Sequence, residues 1–168
     1  FLSRIRDKLQ DPADKLHLSV QLADCHFLAG DYEIAATLYA NSAKQSPDEA
    51  TRAILKYQHV LALISNDRLD LAEDILGTLD PISREYSGYR WRAEWNLVSR
   101  MKTAGRIQEA FSRVSEMIRA GELQSKDHLP HTLVMRLRWL EAHLALELGR
   151  PSEASQYSDN LLETLVAV

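Results

Sequence analysis

Gly30-Asp31-Tyr32-Glu33-Ile34-Ala35 stands between two stretches of helical apolar spacing. The same short pattern returns as Gly105-Arg106-Ile107-Gln108-Glu109-Ala110 and as Gly149-Arg150-Pro151-Ser152-Glu153-Ala154. A degenerate copy, Asn66-Asp67-Arg68-Leu69-Asp70-Leu71-Ala72, reads with Asn for Gly and one extra residue. The anchor alanines Ala35, Ala72, Ala110 and Ala154 therefore stand 37, 38 and 44 residues apart. A pattern of this period marks a supersecondary unit that stacks on copies of itself. The turn has a physical reading. Glycine ends a helix at low cost because it takes a left-handed backbone conformation freely. Pro151 fits the first turn of a helix, where no amide donor is needed. A small alanine early in the second helix lets two backbones approach closely.

Working outward, each copy joins two amphipathic stretches. Leu18, Leu22, Cys25 and Ala29 share a face before Gly30, and Ile34, Ala35, Leu38, Tyr39, Ser42 and Ala43 form a stripe after it. The same pairing joins Ile54 through Ile64 to Leu71 through Leu79, Trp91 through Met101 to Ile107 through Ile118, and Leu133 through Leu148 to Ala154 through Leu165. The spacing predicts helices near 14–29, 31–45, 50–65, 68–79, 84–103, 106–120, 131–148 and 151–166, with a short one near 2–10. Linkers are expected at Ser46-Pro47-Asp48, at Leu79-Asp80-Pro81 and from Gly121 to Pro130. No β-branched alternation bounded by hairpin turns competes.

The first complete repeat carries Leu22-Ala23, Gly30, Tyr32, Ala35, Tyr39 and Pro47 in one register. In this it resembles the tetratricopeptide repeat (TPR) family. The resemblance is closest over residues 16–47 and loosens afterwards, where repeats lengthen and Glu141 takes a place the family gives to an apolar Leu. It implies an all-α, right-handed α-solenoid of about four helix–turn–helix repeats, at 14–47, 50–82, 84–120 and 128–168. Residues 1–12 would close a preceding repeat, all within a single domain. A chain that opens on Phe1 rather than Met, and within a repeat, reads as a fragment of a larger protein. Irregular arrays of this kind look like those in bacterial multidomain regulators and in secretion or polysaccharide-export scaffolds. Some TPR co-chaperones clamp a C-terminal carboxylate with Lys and Asn. Val20 and Asp24 stand at the matching places here, and an acid there repels a carboxylate.

The totals set limits on function. The chain has 168 residues, enough for a sizeable core. Hydrophobic residues make up 45% and charged residues 26%, which excludes a disordered chain. Its formal net charge of −4 argues against a nucleic-acid module. No apolar run reaches membrane-spanning length, so membrane insertion is not expected. The single cysteine, Cys25, rules out an intrachain disulfide and fits a cytoplasmic, reducing compartment, with the periplasm left open. On its apolar face Cys25 is expected to be a small buried thiol.

Catalytic signatures are absent: no Gly-rich phosphate loop, no nucleophile elbow and no His-Glu-x-x-His. The chain is not expected to be an enzyme or to hold a cofactor or metal. His128 and His131 flank Leu129-Pro130, but no further ligand stands beside them, and the segment reads as a polar linker. Glu33, Glu109 and Glu153 recur early in helices, where the helix dipole favours acids. The stronger signal is on the first helices of the repeats, which line the concave surface of a TPR array. There the expected partner-binding groove consists of Tyr57, Arg92, Trp95, Lys102, Arg136, Trp139 and His143. Arg92-Trp95 and Arg136-Trp139 repeat one spacing in corresponding places, and Tyr, Trp and Arg are the residues that most often anchor interfaces. The two tryptophans either face that groove or fill the core between repeats. The function expected is a protein–protein interaction scaffold that takes a peptide or partner helix. The alternative is an effector-sensing module of a larger regulator.

Overall fold

The computed structural model describes residues 10–79, 87–123 and 131–166. All regular structure among them is helical. Eight helices follow one another: α1 (Pro12–Ala29), α2 (Tyr32–Gln45), α3 (Glu49–Ser65), α4 (Leu69–Thr78), α5 (Ser87–Thr103), α6 (Ile107–Leu123), α7 (His131–Glu147) and α8 (Pro151–Val166). The eight expected from residue 14 onward are all present. The short helix expected near 2–10 lies, but for its last residue, outside the described residues, as do most of the second linker and most of the third. Two ends differ for identifiable reasons. Helix α1 begins at Pro12, with Asp11 as its cap accepting from the Ala13 amide at 2.8 Å. Helix α6 runs through Gly121 to Leu123, because an interior glycine costs a helix only about 1 kcal/mol.

Four turns built alike punctuate the chain. Gly30, Gly105 and Gly149 adopt φ of 87°, 79° and 71°. At the degenerate copy the left-handed residue is Asp67, with φ 57°, and not Asn66. This corrects the reading of an extra residue. Asp67 precedes Ala72 by the same interval that separates Gly30 from Ala35, so the copy is regular. Asp is one of the few side chains that enter this region at modest cost. The amide after each left-handed residue bonds back to the carbonyl five residues earlier: Asp31 to His26, Arg68 to Leu63, Arg106 to Met101 and Arg150 to Ala145, each at 2.9 Å. That bond satisfies a carbonyl that the helix end leaves open. The amides of Ala35, Ala72, Ala110 and Ala154 then close the first turn of the next helix at 3.0 Å. All four alanines are buried, as their place at helix crossings requires.

The chain divides into two compact units, 1–97 and 98–168, with the division inside α5. In the first, α1 packs on α2, α2 on α3 and α3 on α4. Its core gathers Ala23, Ala35, Tyr39, Leu55, Tyr57, Val60, Ile64 and Leu76. Asp48 caps α3 by accepting from the Thr51 amide at 2.7 Å, and Arg52 donates back to the Ser46 carbonyl at 3.0 Å, pinning the linker. In the second unit α6 packs on α7 and α7 on α8, around Met101, Ala110, Val114, Leu137, Leu144 and Ala154. Among the described residues no helix is long and apolar enough to cross a membrane.

Candidate functional site

The residues expected to form one groove fall in both units. Tyr57, Arg92 and Trp95 belong to the first; Lys102, Arg136, Trp139 and His143 belong to the second.

In the first unit Tyr57 does not line a surface. It is fully buried, and this corrects its assignment to the groove. Burial holds its hydroxyl above the ordinary pKa, and the charges of Arg90 and Glu94 on α5 act on it in opposite directions. Arg90 itself is occupied: it donates to the Leu79 carbonyl at 3.3 Å and lies 3.9 Å from the buried Glu94 carboxylate. Arg92 is exposed and Trp95 half-buried, so the indole serves partly as core.

In the second unit the residues come together. Helix α7 turns Arg136, Trp139 and His143 to one side, because positions three and four apart share a helical face. The opposite side of α7 buries Leu137, Leu140, Glu141, Leu144 and Ala145. Trp139 is 55% exposed, so this tryptophan is a surface residue and not core. Its indole stacks on the His143 imidazole with the rings 4° from parallel and their centroids 5.4 Å apart. The imidazole Nε2 lies 3.0 Å from Glu147 Oε1. The same oxygen receives Lys102 Nζ of α5 at 3.0 Å. Glu147 thus neutralises Lys102 and holds the imidazole against the indole. Arg136 is exposed and pairs with no acid among the described residues.

Two contributors escaped the sequence reading. Glu147 is four residues past His143, an interval that signals a helical pair, but its second partner, Lys102, lies on another helix. Leu146 is 58% exposed and continues the line of Trp139 along α7.

Other expected features resolve plainly. Cys25 is exposed, correcting the expected buried thiol, since its side of α1 is uncovered among the described residues. Asp24 accepts from the Tyr39 hydroxyl at 2.5 Å, and burial, with this bond second, drives that phenol well above its ordinary pKa. Glu109 bonds Arg106 and Glu153 pairs with Arg150 at 3.6 Å, so these acids belong to separate turns. The Arg106 hydrogen bond holds the Glu109 carboxyl below its ordinary range. His128 lies outside the described residues. Among the described residues no three His, Cys, Asp or Glu side chains gather as metal ligands.

No family model matches the chain, and no curated protein matches it. Solved structures do. BtubC (BKLC) from P. vanneervenii superposes with a TM-score of 0.66 at 15% identity, over 95% of this chain and 66% of that one. A Podosopora anserina protein described as a kinesin light chain of nearly identical TPR-like repeats gives 0.66 at 14%, over 99% of this chain and 82% of that one. MamA of AMB-1 gives 0.56 at 18%, over 95% and 79%. The chain spans slightly under two thirds of BtubC. At these identities the likeness concerns the fold, and the fold is a TPR-like helical repeat.

Proposed function

We propose that this chain is a binding module, not an enzyme, and that it holds a polypeptide partner on the exposed face of α7. The observation that carries the reading is the Trp139–His143 stack beside an exposed Arg136 that pairs with no acid among the described residues. An indole exposed to this extent on an otherwise well-packed helix offers apolar area at low entropic cost, and an adjacent guanidinium fixes the orientation of whatever covers it. Nucleic acid fits the chemistry less well. Lys102, the cation that α5 brings to the site, is neutralised by Glu147, and the formal net charge of the chain is −4.

The test is site-specific photo-crosslinking in lysate of the source cells. A photoreactive phenylalanine replaces Trp139 in one variant and exposed Leu71 of α4 in another. The reading expects one polypeptide to be trapped from position 139, to be lost when Arg136→Glu is added, and not to be trapped from position 71. Equal labelling from both positions contradicts it.

A further inference from the structure

The exposed stripe on α7 has a length and a charge that select among polypeptide partners. Arg136, Trp139, His143 and Leu146 follow the i, i+3, i+7, i+10 line of one helical face. Its two large apolar members, Trp139 and Leu146, are 55% and 58% exposed. Seven residues separate them, a rise of about 10.5 Å along the helix. A partner lying along α7 needs two apolar side chains on one face at that interval. An extended strand places same-face side chains about 6.6 Å or about 13 Å apart, and misses it. A second α-helix with apolar residues seven positions apart reproduces it, since it has the same rise per residue.

Charge decides the rest. Lys102 and His143 both engage Glu147, so the acid that ends the stripe is already matched. Arg136 at the other end has no acid among the described residues. A covering helix therefore needs a carboxylate beside its apolar line, placed toward Arg136.

We infer that the occupant of this face is an acidic amphipathic helix from a different protein, with apolar residues at a seven-residue interval that cover Trp139 and Leu146. This rests on the α7 face being the binding surface, and names what binds there.

The experiment is selection of helix-favouring peptides from a displayed library on the full 168-residue chain. Affinities are then measured for the wild type and for Trp139→Ala, Leu146→Ala, Arg136→Glu and, as control, Leu71→Ala. All four positions are exposed, and thermal melts establish that each variant is folded. The inference expects selected peptides to carry apolar residues seven apart with acids beside them and to gain helical circular dichroism on binding. They should lose about tenfold or more in affinity with each of the three α7 variants and nothing with Leu71→Ala. Peptides that depend on Trp139 but not on Leu146, and that bind without becoming helical, overturn the helix inference while leaving α7 as the binding face. Peptides indifferent to all three α7 variants overturn both, and failure to select any peptide overturns the helix inference. Self-association of the chain that Trp139→Ala abolishes would assign the face to a second copy and overturn it as well.

Discussion

The Ser115 hydroxyl of α6 donates a 2.7 Å hydrogen bond to Glu141 Oε1 of α7, and the glutamate it meets is buried where an apolar residue is expected. A carboxylate in that position tolerates burial only while its acceptors are satisfied. Ser115→Ala should therefore destabilise the second unit by about 1–3 kcal/mol. Adding Glu141→Leu should recover most of the loss, because both polar groups are then gone together. Chemical denaturation of the two variants checks this. A double variant less stable than Ser115→Ala would show that other bonds to Glu141 dominate.

The alanines at the helix crossings make the second prediction. Ala35 and Ala110 are fully buried and Ala154 nearly so. Leucine at any of them forces side chains off their rotamers or pushes helices apart, and should cost about 1–3 kcal/mol. Thr37→Leu, at an exposed position of α2, serves as control and should leave the melt nearly unchanged.

A pH dependence follows from His59. Burial, followed by the nearby Lys44 charge, lowers its pKa below the ordinary 6.5. The folded protein therefore resists protonating this ring. Above the ordinary value both folded and unfolded chains carry it neutral, and it contributes no slope. As pH falls through that value, the unfolded chain takes up the proton first, and stability falls. Melting temperatures from about pH 8 to about pH 5.5 should decline, and His59→Gln should decline less steeply. Parallel slopes would remove His59 as a cause.

Nucleic acid gives the fourth. With a formal net charge of −4, and with Arg90 beside Glu94 and Lys102 held by Glu147, the chain lacks the basic surplus that releases counterions from a duplex. Gel shifts with random DNA or RNA at physiological salt should show no retardation. Salt-sensitive binding below about 1 μM would reverse this and turn attention to Arg92 and Arg100.

The sequence exposes some of this fold because certain residues have few alternatives. Glycine at 30, 105 and 149 announces a left-handed turn, and an alanine five residues on announces a close crossing, so the repeat is legible at those points. The second copy is harder to read because Asn66 and Asp67 both suit the left-handed region, and only the backbone shows which one uses it. Periodicity places a residue on a face but does not say which neighbour covers that face. Tyr57 and Trp139 occupy like positions in their helices, yet one is fully buried and the other 55% exposed. The joint grip of Glu147 on Lys102 and His143 is a contact between helices, which helical spacing within one segment does not encode.

The central claim is that the α7 face binds a polypeptide partner, and its most direct measurement is the partner's dissociation constant across four proteins. With the partner trapped at position 139 in hand, titration of wild type, Arg136→Ala, Trp139→Ala and Leu71→Ala separates the face from the rest of the surface. The account predicts that Trp139→Ala weakens binding by about thirtyfold or more, in the range of an interface anchor, and Arg136→Ala by about tenfold, with Leu71→Ala unchanged. Dissociation constants equal within error for all four folded proteins would contradict it.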